Sequence, residues 1–171
     1  MSKKFTSYHV GVAAEAIAAA QFARCGYDVS VQYGANQPGY DLIVVKGKRL
    51  LKVSVKGSQK KAWGLCQSHL NDENRTYHAA INHWKKCHDL GMAFCFVQFE
   101  GIGIDGMPRV YLATPGEVAK RLHQTKNGEG DTVLYEKKVW TKRAIASGTI
   151  DAIPDSWKFS EKRIEELFKT A

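Results

Sequence analysis

The 171-residue chain has little that would tie it to a secreted, membrane-spanning or repetitive architecture. Its four cysteines, Cys25, Cys66, Cys87 and Cys95, contain no C-x-x-C pair, and neither a signal peptide nor a long apolar span is visible. A reduced, cytoplasmic setting without membrane attachment is the resulting expectation. No internal repeat, heptad or low-complexity tract occurs, which argues against solenoids and filaments. Gly101-Ile102-Gly103 lacks the strand-to-helix context of a dinucleotide fingerprint, there is no G-K-[ST] phosphate loop, and no Ser-His-Asp triad can be assembled. Acidic charge is also in short supply. Against 25 Lys and Arg stand 17 Asp and Glu, a net charge of +8, which favours a polyanionic partner because clustered cations release counterions on meeting phosphates.

At 44% hydrophobic and 25% charged residues, the composition is that of an ordinary globular chain, long enough for one domain with a substantial core. The most informative stretch runs from Gly39 to Ser58. Two β-branched apolar runs flank Lys46-Gly47-Lys48-Arg49, and Gly47 can supply the positive φ of a two-residue hairpin turn. With Gly47-Lys48 as the turn centre, Lys46 faces Arg49, Val45 faces Leu50, Ile43 faces Lys52 and Asp41 faces Ser54. Alternation then places Lys56 on the same face, diagonal to Asp41. An acid, a hydroxyl and an ammonium are thus expected at the ends of adjacent strands, a juxtaposition that a one-residue slip would abolish.

Ahead of this hairpin, Ser7 can cap a helix from about Tyr8 to Cys25, stopped by Gly26. Its run Val10 to Ala20 is apolar on almost every side, as expected of a helix packed on a sheet, except at Glu15. A carboxylate within an apolar stripe must be paired, protonated or bound to a metal, because burying it bare costs several kcal/mol. Tyr27 to Gln32 alternates as a strand, and Gly34 to Gly39 reads as a loop.

Downstream, Gln59 to Arg75 is either a short helix or a ligand-facing loop. A helix through Tyr77, Ala80, Ile81, Trp84 and Cys87 ends at Gly91, and Met92 to Phe99 is a strand of central character. Arg109 to Ala113 is a further strand, and Thr114-Pro115-Gly116-Glu117 opens a helix reaching about Gln124. Thr132 to Trp140 reads as one strand or a bent pair, Thr141 to Ser156 as irregular, and Ser160 caps a last helix through Phe168 with Ile164, Leu167 and Phe168 on its buried face.

The order helix, three strands, helix, strand, with Glu15 in the first helix, Asp41 in a Gly-Tyr-Asp-Leu strand and Ser54-Val55-Lys56 in the next, resembles the PD-(D/E)XK nuclease superfamily, most closely the branch of Holliday junction resolvases and small homing endonucleases. The resemblance covers about residues 8–99 and implies an α/β, restriction-endonuclease-like α-β-β-β-α-β core with a central mixed sheet flanked by helices, followed by a C-terminal α+β extension over about 108–171. It further implies a metal-dependent endonuclease acting on duplex or branched DNA. In such enzymes the acids matching Asp41 and Glu15 bind a divalent metal, and the lysine matching Lys56 orients water or stabilises phosphate charge. They often act as symmetric dimers. Ser54 stands where the family has a second ligating acid. Hard oxygen donors from Asp41, Glu15, the Val55 carbonyl and the Ser54 hydroxyl suit Mg²⁺ or Mn²⁺, with Gln67 as an auxiliary carbonyl donor.

Lys46, Lys48, Arg49, Lys52, Lys60 and Lys61 concentrate positive charge beside these residues and are the expected nucleic-acid contacts, with Gln67. Lys85-Lys86, Lys137-Lys138 and Lys142-Arg143 offer further phosphate contacts, and Trp63 or Trp140 could stack on an unpaired base, although core positions are commoner for tryptophan. If the missing acid has cost the site its metal, the alternative is a catalytically impaired nuclease fold serving as a nucleic-acid-binding module. Cys66-x-x-His69 and His83-x-x-x-Cys87 have zinc-ligand spacing, but the first pair lacks a knuckle turn, so packing and surface roles are favoured over zinc.

Overall fold

The computed structural model describes residues 5–32, 39–141 and 148–170. The expected Gly34–Gly39 loop falls almost wholly outside them, as do Lys142 and Arg143. Within them lies a mixed α/β architecture of four α-helices around a mixed five-stranded sheet.

Helix α1 (Ser7–Arg24) starts one residue earlier than the sequence suggests. Thr6, not Ser7, is the N-cap, and the imidazole of His9 takes the role that Glu or Gln fills in a capping box. Strands β1 (Asp28–Val31), β2 (Leu42–Lys46) and β3 (Arg49–Ser58) form an antiparallel meander. Gly47 has φ +60°, the requirement of the first central position of a type II′ hairpin turn, and the register pairs Lys46 with Arg49, Val45 with Leu50 and Ile43 with Lys52, as expected.

The chain then makes a short strand, β4 (Ala62–Gly64), and a 3-10 turn at Gln67–His69 before helix α2 (Tyr77–Lys86). Strand β5 (Ala93–Gln98), buried at every residue, lies parallel to β3, and β6 (Arg109–Ala113) closes the sheet antiparallel to it, giving the order β1-β2-β3-β5-β6. Helix α3 (Pro115–Gln124) has the full Thr114/Glu117 capping box. Residues 132–140 are a bent pair, β7 (Val133–Tyr135) and β8 (Lys137–Val139). Part of the segment expected to be irregular forms β9 (Ile150–Ala152), paired to β8. Helix α4 (Glu161–Thr170) buries Ile164, Leu167 and Phe168 as anticipated, and Arg163 besides.

Two cores flank the sheet. On one face, Ala14, Ala18 and Phe22 of α1 and Ile164, Leu167 and Phe168 of α4 pack on Leu42, Val44, Leu51, Val53, Val55, Ala93 and Cys95. On the other, Ile81 and Trp84 of α2 and Val118 and Leu122 of α3 pack on Phe94, Phe96, Tyr111 and Trp63. Alternation along β2 and β3 sends the partners of Leu42, Val44 and Val53 to the second face, where Ile43 and Val45 are only half-buried and Leu50 is 61% exposed. Helices α2 and α3 therefore cover the β5–β6 half of this face and leave the hairpin half open, next to Asp41 and Lys56. Among the described residues no helix is long and apolar enough to cross a membrane.

Candidate active site

Asp41 sits where β2 stops and β3 runs on. Its amide donates to the Val53 carbonyl at 2.9 Å and its carbonyl accepts from the Gln32 amide at 2.8 Å, so both neighbouring strands pin its backbone. The chain bends away before it, which ends the β2 ladder and leaves the Val55 N–H facing the gap. The Asp41 side chain takes that place, its Oδ2 accepting from Val55 N at 2.5 Å and from the Ser54 hydroxyl at 3.2 Å. A charge-assisted bond to a main-chain amide is a strong orienting contact. No described residue hydrogen-bonds the other carboxylate oxygen, Oδ1.

Ser54 is 4% exposed and its hydroxyl is directed at Asp41. It therefore orients the acid; this is the part it plays at the position expected to offer a ligand. Val55 contributes its amide to the same carboxylate, while its side chain packs in the core under α1. Lys56 is exposed, on the face of β3 shared with Ser54, and its carbonyl accepts from the Trp63 indole N–H at 2.8 Å, locking the backbone at this residue.

Glu15 arrives from α1. Gly57 brings helix and strand together: a Cβ there would lie 2.8 Å from both Val10 Cγ1 and the Val10 carbonyl and 2.9 Å from Ala14 Cβ. Such an approach needs a residue without a side chain. Burial, and next the negative charge of Asp41, hold the half-buried Glu15 carboxyl above the ordinary glutamate range, while Lys56 pulls it down. Asp41 and Lys56 thus each act electrostatically on Glu15. Yet among the described residues none of the three closes an ion pair within 4.0 Å, and Glu15 has no hydrogen-bond partner. A static Asp41–Lys56 or Glu15–Lys56 pair is absent. Two carboxylates, with Asp41 Oδ1 and both Glu15 oxygens without a hydrogen-bond partner among the described residues, beside an unpaired ammonium form a hard donor set suited to a divalent cation of the Mg²⁺ class.

The expected cationic contacts separate into two groups. Lys46 and Arg49 lie on the α1/α4 side of the hairpin, where Glu165 of α4 pairs with both, and Arg49 also lies over the Phe168 ring. Lys52 pairs with Asp89 at 3.1 Å and Lys61 with Glu100 at 3.1 Å. Lys48, Lys56 and Lys60 have no ion-pair partner among the described residues. Gln67 lies against Gly64 in the 3-10 turn, and nothing links it to Asp41.

Trp63 is buried against Phe96 and Tyr111 and cannot stack on a base. The Trp140 indole is held by Asp151 at 2.6 Å, with Lys126 and Lys138 over its ring. Gly57 is the positioning residue that sequence reasoning missed. A glycine inside a strand does signal close backbone approach, but the partner helix becomes evident only in three dimensions.

The chain matches no protein-family model and no curated protein.

Proposed function

We propose that the protein is a divalent-metal-dependent endonuclease that hydrolyses DNA phosphodiester bonds, on a restriction-endonuclease-like variant of its mixed α/β fold. The observation that carries this reading is the Glu15 carboxyl set between the charges of Asp41 and Lys56, with none of the three in an ion pair among the described residues, beside an open sheet face. A carboxyl held above its ordinary range by burial and a specific charged neighbour, as Glu15 is, is a candidate site of chemistry. The net charge of +8 and the uncovered half of the sheet beside the cluster favour an extended polyanion over a small ligand.

Asp41, through Oδ1, and Glu15 would hold Mg²⁺ or Mn²⁺, with the Val55 carbonyl as a third donor. When bound, the cation neutralises charge on a phosphoryl oxygen and lowers the pKa of a bound water. The chain's own residues do the rest. Ser54 and the Val55 amide fix one Asp41 oxygen so that the other stays directed outward. Lys56 places an ammonium where charge develops on the phosphate, or holds the attacking water through its N–H donors. Lys48, Lys60 and, on the open face, Lys52 screen the flanking phosphates. Duplex or branched DNA is the expected partner, and cleavage of both strands favours a symmetric dimer.

The test is cleavage of linear, supercoiled, flapped and four-way DNA with Mg²⁺ or Mn²⁺. Cleavage of at least one form is expected, with loss in EDTA and in Asp41→Ala or Lys56→Ala. Unchanged cleavage in both variants rejects the site.

Ser54 favours one second reading, since its hydroxyl is committed to Asp41 and it supplies no third charge. In that reading the protein is a nucleic-acid-binding module on a nuclease fold. DNA binding without calorimetric metal binding, and cleavage gained only in Ser54→Glu, would select it.

A further inference from the structure

The described residues contain one group of three His, Cys or acidic side chains whose ligating atoms converge. These are His69, His83 and Cys87, all within 4.8 Å of one another. His83 and Cys87 stand four residues apart at the C-terminal end of α2, on one face of the helix, with the Cys87 amide bonded to the His83 carbonyl at 3.2 Å. His69 comes from the 3-10 turn before α2, its amide held by the Cys66 carbonyl at 3.0 Å. The two imidazoles face each other through their Nδ1 atoms at 2.8 Å, with the rings tilted by 52°.

We propose that His69, His83 and Cys87 form a metal site of the zinc class, with three protein ligands and a fourth position open to solvent or an exogenous donor. The donor set selects the ion. Imidazole nitrogen and thiolate sulfur suit Zn²⁺ and Co²⁺ and are poor ligands for Mg²⁺, so the site is chemically distinct from the carboxylate cluster around Asp41. In tetrahedral zinc, bonds of about 2.0–2.3 Å place ligating atoms about 3.3–3.8 Å apart. The imidazole pair, at 2.8 Å, is closer than that range and the group's outer limit of 4.8 Å lies beyond it, so side-chain rotations at the protein surface must part the two rings and draw the outlying ligand in to close the site.

Cys87 is an exposed free thiol, and binding releases its proton to solvent as the thiolate forms. Cys66, the fourth residue of the zinc-like spacing, is not a ligand. It is buried in the core against α2 and α3, and burial pushes its thiol up to about 12. The metal would tie the segment preceding α2, where Asn71 and Asn74 bond only within their own turn, to the end of the helix.

The test is Co²⁺ titration of the EDTA-stripped, gel-filtered full chain. One equivalent should develop a thiolate-to-cobalt charge-transfer band with tetrahedral d–d absorption, displaced by Zn²⁺ and untouched by excess Mg²⁺. In Cys87→Ser the charge-transfer band should vanish, and in His83→Gln the affinity should fall at least tenfold, with circular dichroism unchanged in both. Asp41→Asn should bind Co²⁺ at this site as the wild type does. A wild-type protein that develops no band, or a band that persists in Cys87→Ser, overturns the proposal and leaves His69 and His83 a simple hydrogen-bonded pair.

Discussion

Gly57 and Val10 are in such close contact that a methyl group on the glycine would lie 2.8 Å from both the Val10 Cγ1 and its carbonyl. This contact sets the separation of α1 from β3, and with it the reach of Glu15 towards Asp41 and Lys56. Gly57→Ala is therefore expected to cost about 1–3 kcal/mol by overpacking against a backbone that cannot yield. It should also lower DNA cleavage below that of an equally destabilised control in the β8–β9 pair. Urea denaturation and cleavage rates measured on the same preparations check both. Wild-type activity in Gly57→Ala would mean that the position of α1 does not matter to the site.

The Glu15 carboxyl gives a pH dependence of defined sign. Because its pKa is raised on folding, the native metal-free chain binds this proton more tightly than the unfolded chain does. The associated stability is complete below the unfolded glutamate pKa and is lost as pH rises through the folded value. Metal binding needs the ionised form, so affinity for Mg²⁺ should climb over that same window. Asp41→Asn should lower the Glu15 pKa and Lys56→Met should raise it, as read by carbon-13 NMR titration of the labelled carboxyl. A Glu15 pKa insensitive to both substitutions would show that the three groups do not share a site.

The side of the sheet divides the cations that the proposed reading brings to DNA. Lys46 and Arg49 are held by Glu165 on the α4 side, whereas Lys48 and Lys60 have no ion-pair partner among the described residues and Lys52, although paired with Asp89, lies on the open face. Each of Lys48→Ala, Lys52→Ala and Lys60→Ala should weaken DNA binding and reduce the slope of log affinity against log salt by about 0.9 if one phosphate contact is lost. Lys46→Ala and Arg49→Ala should leave that slope nearly unchanged. Fluorescence anisotropy across a salt series decides between the two groups, and the reverse pattern would move the interface to the α4 side.

Ser54→Ala removes one hydroxyl donor from the Asp41 carboxylate while the stronger Val55 amide contact remains. A long bond of this kind is worth about 1 kcal/mol, so single-turnover cleavage should fall about fivefold, with DNA affinity unchanged. A loss as complete as that of Asp41→Ala would assign the hydroxyl a direct role at the metal.

Much of this arrangement was legible in the sequence because it is local. Gly47 fixes the hairpin turn, two-residue periodicity fixes which side chains share a face, and Glu15 stands out as the one charge in an apolar stripe. Contributions from distant segments were not legible. Glu165, 119 residues from Lys46, pairs with two of the expected phosphate contacts, Lys46 and Arg49. Trp63 is drawn into the core by Phe96 and Tyr111, which only the completed sheet brings near. Strand β9 carries no local strand signal because its support is non-local: Asp151 is held by Arg121, the Lys126 amide and the Trp140 indole. The α1 cap at Thr6 lacks the usual sequence signal because His9 acts where glutamate or glutamine is expected.

The central claim is that Asp41 and Glu15 grip one hard cation beside Lys56. Paramagnetic broadening by substoichiometric Mn²⁺, followed by NMR of the wild-type chain and the Asp41→Asn variant, tests it most directly. The Val55 amide and the Glu15 side-chain signals should broaden first, excess Mg²⁺ should restore them, and Asp41→Asn should abolish the effect. Broadening confined to other surfaces, or unaltered in Asp41→Asn, would contradict it.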